Sequence, residues 1–147
     1  MQQTKKQVRL RKELKPMDNP DDYEVCIRHS PIHRYGLFTL IDRKKGDLIV
    51  PYNYTPDMVM GWLDFKNKYN GDLSYSYSNK RKWQVINCKE KRNLVCFTND
   101  NRPNHNCELK AYALYAIKDI PAESELTLSY AHYDPRDYIK KKIVNSL

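Results

Sequence analysis

The amino-acid sequence predicts a mainly β fold with a minor α component, and three observations carry that prediction. Between residues 23 and 130 most of the chain divides into short runs of β-branched and aromatic residues, closed off by Gly, Pro, Asn and Asp. One mid-chain segment, 55–69, switches to helical periodicity. Strands do not alternate with helices, so the β-α-β repeat of a doubly wound sheet is absent. At 147 residues the chain has the size of one domain, and 40% hydrophobic with 30% charged residues is a globular composition.

Residues 1–20 lack hydrophobic periodicity and end in the breakers Pro16, Asp18, Asn19 and Pro20, so they are expected to form a basic, flexible arm. Residues 21–134 are expected to fold, and 135–147 to form a short C-terminal helix and tail. The first strand is expected at 23–27, a turn at Ser30-Pro31, a second strand at 36–41, and a third at 48–50, stopped by Pro51. The helix is expected to start with Thr55 as N-cap and Pro56 at its first position, with Asp57 at the positive end of the helix dipole. Met58, Val59, Trp62, Leu63 and the stem of Lys66 would form its apolar face, and Asn70-Gly71 its end. Further strands are expected at 83–86, 94–97, 111–117 and 126–130, with 73–77 short and aromatic and 99–106 a loop. Asp134 and Pro135 would open the last helix, carrying Tyr138, Ile139 and Ile143.

Cys26, Cys88, Cys96 and Cys107 occur singly, whereas structural zinc sites draw on closely spaced pairs; they read as buried thiols and no metal site is expected. The 26 basic and 18 acidic residues leave a net charge of +8. Lys5, Lys6, Arg9, Arg11, Lys12 and Lys15 crowd one terminus, and Lys140, Lys141 and Lys142 lie near the other. These runs read either as solvated tails or as contacts to nucleosomal or other nucleic acid, or a nuclear import signal. No apolar run approaches the roughly 20 residues of a membrane helix, and the basic N-terminus has no apolar signal core. The expected setting is intracellular, the nucleus ahead of the cytoplasm, with no membrane partner; oligomeric state is left open.

Four blocks occur in a telling order. Ser30-Pro31-Ile32-His33-Arg34-Tyr35-Gly36-Leu37-Phe38 precedes Lys45-Gly46-Asp47-Leu48-Ile49. Asp72-Leu73-Ser74-Tyr75-Ser76-Tyr77 follows, then Ile86-Asn87-Cys88 with Arg92-Asn93-Leu94-Val95-Cys96-Phe97-Thr98-Asn99-Asp100. The last is Ala116-Ile117-Lys118-Asp119-Ile120-Pro121-Ala122-Glu123-Ser124-Glu125-Leu126-Thr127-Leu128-Ser129-Tyr130. Over residues 23–134 these blocks resemble the SET-domain protein-lysine methyltransferase family.

That resemblance implies a fold of short twisted sheets with a C-terminal pseudoknot, and transfer of a methyl group from S-adenosyl-L-methionine to the lysine of a protein substrate such as a histone. Tyr130 matches the family's catalytic tyrosine and Tyr75 is assigned beside it, with Tyr77 and Tyr133 lining the lysine channel. Arg34, Tyr35 and Gly36 match the turn that approaches the cofactor, and Asn99 and Asp100 match the pair that holds its amino-acid and adenine parts. Glu125 matches a glutamate to which a structural role is assigned. The chain departs from the family at Asp100 and Asn101, where histidine and serine are usual, and at His33 or Arg34, where a first glycine would stand. The family's Pro-Asn-Cys element falls on Pro103-Asn104 or on Asn106-Cys107, the latter preferred. The alternative reading is a SET-fold module of weak or no activity that binds chromatin, nucleic acid or protein through its basic arms.

Overall fold

Alternating β-branched and aromatic residues pair the first two strands, β1 (Val25–His29) and β2 (Tyr35–Thr39), into an antiparallel hairpin in which Val25 faces Thr39 and His29 faces Tyr35. The computed structural model describes residues 7–12, 15–72, 76–79 and 82–130. Strands β3 (Leu48–Pro51), β4 (Val59–Gly61), helix α1 (Trp62–Tyr69), β5 (Ser76–Asn79) and β6 (Gln84–Asn87) follow. The chain continues through β7 (Asn99–Asp100), β8 (Cys107–Lys110), β9 (Ala113–Ala116) and β10 (Glu125–Leu128). The described residues fall into two units, one running to Asn53 and resuming from Arg92 to Ser129, the other from Tyr54 to Lys91 with Tyr130.

The first unit holds a four-stranded sheet, ordered β1-β2-β10-β7, and a three-stranded sheet, β3-β9-β8. Strand β10 is enclosed on both edges: antiparallel to β2, with Leu126 opposite Leu37, and parallel to β7, with Thr127 opposite Asn99. Leu126, Thr127 and Leu128 are all buried in this position. Val25, Ile27, Leu37, Leu94, Leu114 and Leu126 are wholly excluded from water and form this unit's core. Burial pushes the Cys107 thiol on β8 up to about 12.

The second unit stacks α1 beside the sheet β4-β6-β5. Its core is Trp62, Phe65 and Val85, with Met60, Tyr69 and Trp83 packed around them. The helix differs from the expected one. Thr55 and Pro56 open only a 3-10 turn, Pro56–Met58, after which Val59 and Met60 pair with Ile86 and Val85, and α1 starts after Gly61. Cross-strand pairing overrides the capping signal there. The buried face is therefore Trp62 and Phe65, extended by Tyr69, while Leu63 is 67% exposed.

One further expectation changes. Residues 94–97 form a 3-10 turn instead of a strand, because buried Asn93 caps it: its Oδ1 accepts from the Cys96 amide at 3.1 Å while its Nδ2 donates to the Asn53 carbonyl at 2.8 Å. A short apolar run does not by itself distinguish the two. The described part of the segment expected as an arm contacts the first unit. The Ile27 amide donates to Gln7 Oε1 at 2.6 Å, the Val8 amide donates to the Ile27 carbonyl, and Leu10 is buried. Asp18 accepts from the Leu94 amide and from Asn53 Nδ2, and burial raises its pKa. The expected C-terminal helix lies outside the described residues. Among the described residues no helix is long and apolar enough to cross a membrane.

Candidate cofactor site

The hairpin register leaves residues 30–34 as a five-residue loop between β1 and β2. Its ends close through the Ser30 amide, which donates to the Arg34 carbonyl at 2.9 Å, and through Arg34, whose φ of 38° lies in the left-handed region. Ser30 Oγ accepts from the Ile32 amide at 3.0 Å and from the His33 amide at 3.4 Å, a serine turn that shapes the loop. At the loop base the rings of His29 and Tyr35 stack with centroids 5.2 Å apart.

Beneath the loop lies a polar cluster built from three distant parts of the chain. Asn99 Nδ2 on β7 faces the His33 carbonyl at 3.1 Å, the Tyr35 carbonyl at 2.9 Å, Glu125 Oε2 at 2.9 Å and Ser30 Oγ at 3.2 Å. The Ser30 hydroxyl in turn donates to Glu125, its oxygen lying 2.7 and 2.9 Å from the two carboxylate oxygens. Hydrogen bonds to a carboxylate are each worth about 1.5–3 kcal/mol, so this cluster is a firm tie between the loop and β10. Asn106 holds β10 from the other side: its Nδ2 donates to the Glu125 carbonyl and its Oδ1 accepts from the Thr127 amide, both at 2.8 Å. The side-chain amide thus imitates a neighbouring strand.

The sequence-expected residues divide by unit. Arg34, Tyr35, Gly36, Asn99 and Asp100 all lie in the first unit, on the loop, on β2 and on β7. Gly36 is buried, and a Cβ added there would lie 2.7 Å from the Glu125 Cδ. Its missing side chain makes room for Glu125. Asp100 pairs with Arg102, Oδ2 to Nη2, at 2.5 Å, so its negative charge is answered two residues away. Tyr77 sits on β5 opposite Ile86 in the second unit, and Tyr130, directly after Ser129 in the chain, is 48% exposed. Tyr75 and Tyr133 lie outside the described residues. Ser30, Arg102 and Asn106 carry no site role in the sequence reading; Asp100 and Arg102 are a local pair, whereas Ser30 meets Asn99 and Glu125 across 69 and 95 positions.

Residues 34–131 match the SET domain family, and the chain belongs to it. Its fold is similar to ctPRC2 in an autoinhibited conformation bound to S-adenosylmethionine, at 20% identity and a TM-score of 0.63, covering 84% of this chain and 17% of that one. It is also similar to an apo ctPRC2 with two mutations in Ezh2, at 21% identity and a TM-score of 0.62, covering 80% and 16%. A humanized mutant of the Chaetomium thermophilum Polycomb Repressive Complex 2 bound to an inhibitor gives 20% identity and a TM-score of 0.62, covering 76% and 15%. The chain thus spans about a sixth of the length of these solved chains, and the likeness is one of fold. No curated protein sequence matches it.

Proposed function

We propose that this protein transfers a methyl group from S-adenosyl-L-methionine to the lysine side chain of a protein substrate, a histone being the first candidate, in the chromatin of the nucleus. The single observation that supports it best is the loop at residues 30–34 tied to Asn99. With Nδ2 turned inward, Asn99 Oδ1 accepts from no group among the described residues, and it is not among the buried polar atoms that lack a partner. Arg34, exposed on the same loop, has no ion-pair partner among the described residues. An acceptor for an ammonium and a cation for a carboxylate fit the amino-acid end of the cofactor. Arg102 pairs with Asp100, so this carboxylate is balanced where the adenine would lie.

When bound, the cofactor supplies a methyl group on a positively charged sulfur. In this reading Arg34, Tyr35, Gly36, Asn99 and Asp100 hold the cofactor, and the backbone around Gly36 lets the chain approach it. Tyr130 and Tyr75 orient the attacking amine, while Tyr77 and Tyr133 guide the lysine stem. That amine must be neutral to attack. A free lysine titrates near ~10.4, so an aromatic, water-poor channel would serve by penalising the charged form. The experiment is calorimetry of the protein with S-adenosylmethionine, together with transfer of labelled methyl to histones or lysine peptides. Binding heat and labelled product are expected; neither appearing would overturn the reading. Tyr130→Phe should lower turnover by roughly tenfold or more, or change the number of methyl groups added, while the fold survives. A wild-type rate and product distribution would remove Tyr130 from that role.

A second reading, a SET-fold module without catalysis that docks on nucleic acid, is favoured by one observation. An open cavity of about 460 Å³ is lined, among the described residues, by Arg9, Leu10, Arg11, Lys12 and Lys15, four cations and one apolar residue. The two readings are compatible if the basic segment recruits the enzyme to nucleosomal substrate.

A further inference from the structure

We infer that Ser30 and Glu125 are positioning residues for the amino-acid end of the cofactor: they hold the Asn99 amide with its oxygen outward and give the loop at residues 30–34 the shape that presents Arg34. The inference rests on the cofactor reading above.

The orientation of Asn99 follows from its surroundings. Two of the four groups facing its side-chain nitrogen are main-chain carbonyls and a third is a carboxylate oxygen, and none of these can donate. The nitrogen must therefore point inward and the oxygen outward. Glu125 is the charged member of that set. It also orients the hydroxyl of Ser30, because that hydroxyl has one proton and the carboxylate takes it. The Ser30 oxygen is then free to accept from the Ile32 and His33 amides. A chain of polarity thus runs from Glu125 through Ser30 to the loop amides, and from Glu125 through Asn99 to the loop carbonyls. The cluster uses Gly36 for space, since a Cβ there would meet both Glu125 and Ser30. Asn106 fixes the Glu125 backbone. Among the described residues no cation pairs with Glu125.

The test compares two ligands on the full chain by calorimetry: S-adenosylmethionine, and 5′-methylthioadenosine, which keeps the adenosine and sulfur but lacks the amino acid. Ser30→Ala and Glu125→Gln should each raise the Kd for S-adenosylmethionine about tenfold or more, while the Kd for methylthioadenosine stays within about twofold. In Glu125→Gln the charge is lost and one carboxylate oxygen becomes an N–H donor beside the Ser30 oxygen, where it competes with the Ile32 and His33 amides. Ser30→Thr, which keeps the hydroxyl, should restore most of the affinity. Hydrogen exchange gives a second readout: in Ser30→Ala the Ile32 and His33 amides should exchange faster, with the rest of β1 and β2 unchanged. Equal loss for both ligands would reveal a merely structural role and overturn the inference, as would wild-type affinity for S-adenosylmethionine in Ser30→Ala. If wild-type protein binds neither ligand, the cofactor reading fails and takes this inference with it. If wild-type protein binds both and the variants match it, the positioning role alone fails.

Discussion

Gly36 shows at the scale of one residue how a motif position acquires its meaning from distant neighbours. A Cβ placed on it would sit 2.7 Å from the Glu125 Cδ, closer than real contacts allow, and 3.1 Å from the Ser30 Cβ, tighter than most. Gly36→Ala should therefore destabilise the protein by about 1–3 kcal/mol, read as a lower urea midpoint, through overpacking. An unchanged midpoint would mean that Glu125 swings away at no cost. The cysteines give a second prediction. Burial pushes the Cys107 thiol up to about 12 and also raises that of Cys26. Because the thiolate is the nucleophile, both should resist alkylation by iodoacetamide at pH 8 in the folded protein and react once it is unfolded, as mass spectrometry would show. Labelling of Cys107 at the rate of a free cysteine would contradict its burial.

Asn106 acts on a whole element, because its side chain supplies two ladder-like hydrogen bonds to β10, at the Glu125 carbonyl and the Thr127 amide. Asn106→Ala would lose both, at a cost of about 1–3 kcal/mol, and exchange at the Thr127 amide should quicken. Native-like protection at Thr127 in that variant would show that the clamp is dispensable. The elements also mark how far local pattern carries. Hydrophobic runs and turn residues disclosed β1, β2, β3, β6, β9 and β10 to within a few residues. They misplaced the start of α1, because Thr55 and Pro56 cap a single 3-10 turn before Val59 and Met60 join a strand pair with residues 25 or more positions away. They missed β7 altogether: two residues in a loop-like stretch of Asn and Asp become a strand only because β10 lies alongside.

On the scale of the molecule, four of the 26 basic residues gather in one segment of the first unit. Four cations, Arg9, Arg11, Lys12 and Lys15, line one cavity, and the segment that carries them is held to β1 by Gln7 and Val8. If they meet phosphates, nucleic-acid affinity should fall with salt at a log–log slope of about −3 to −4 on duplex DNA, and replacing all four by alanine should flatten it. An unchanged slope would remove this segment from the interface. Taken alone, the sequence determined the family, most strands and the positions to examine, because ordered motifs and two-residue periodicity are local properties. Tertiary structure decided what those positions do. It turned Asn99 inward against two carbonyls of the 30–36 segment, set Ser30 on Glu125, answered the charge of Asp100 with Arg102, and made Gly36 the space for a carboxylate. Most of those contacts join residues 60 to 95 positions apart, a separation at which the partner is chosen by how strands pair and pack.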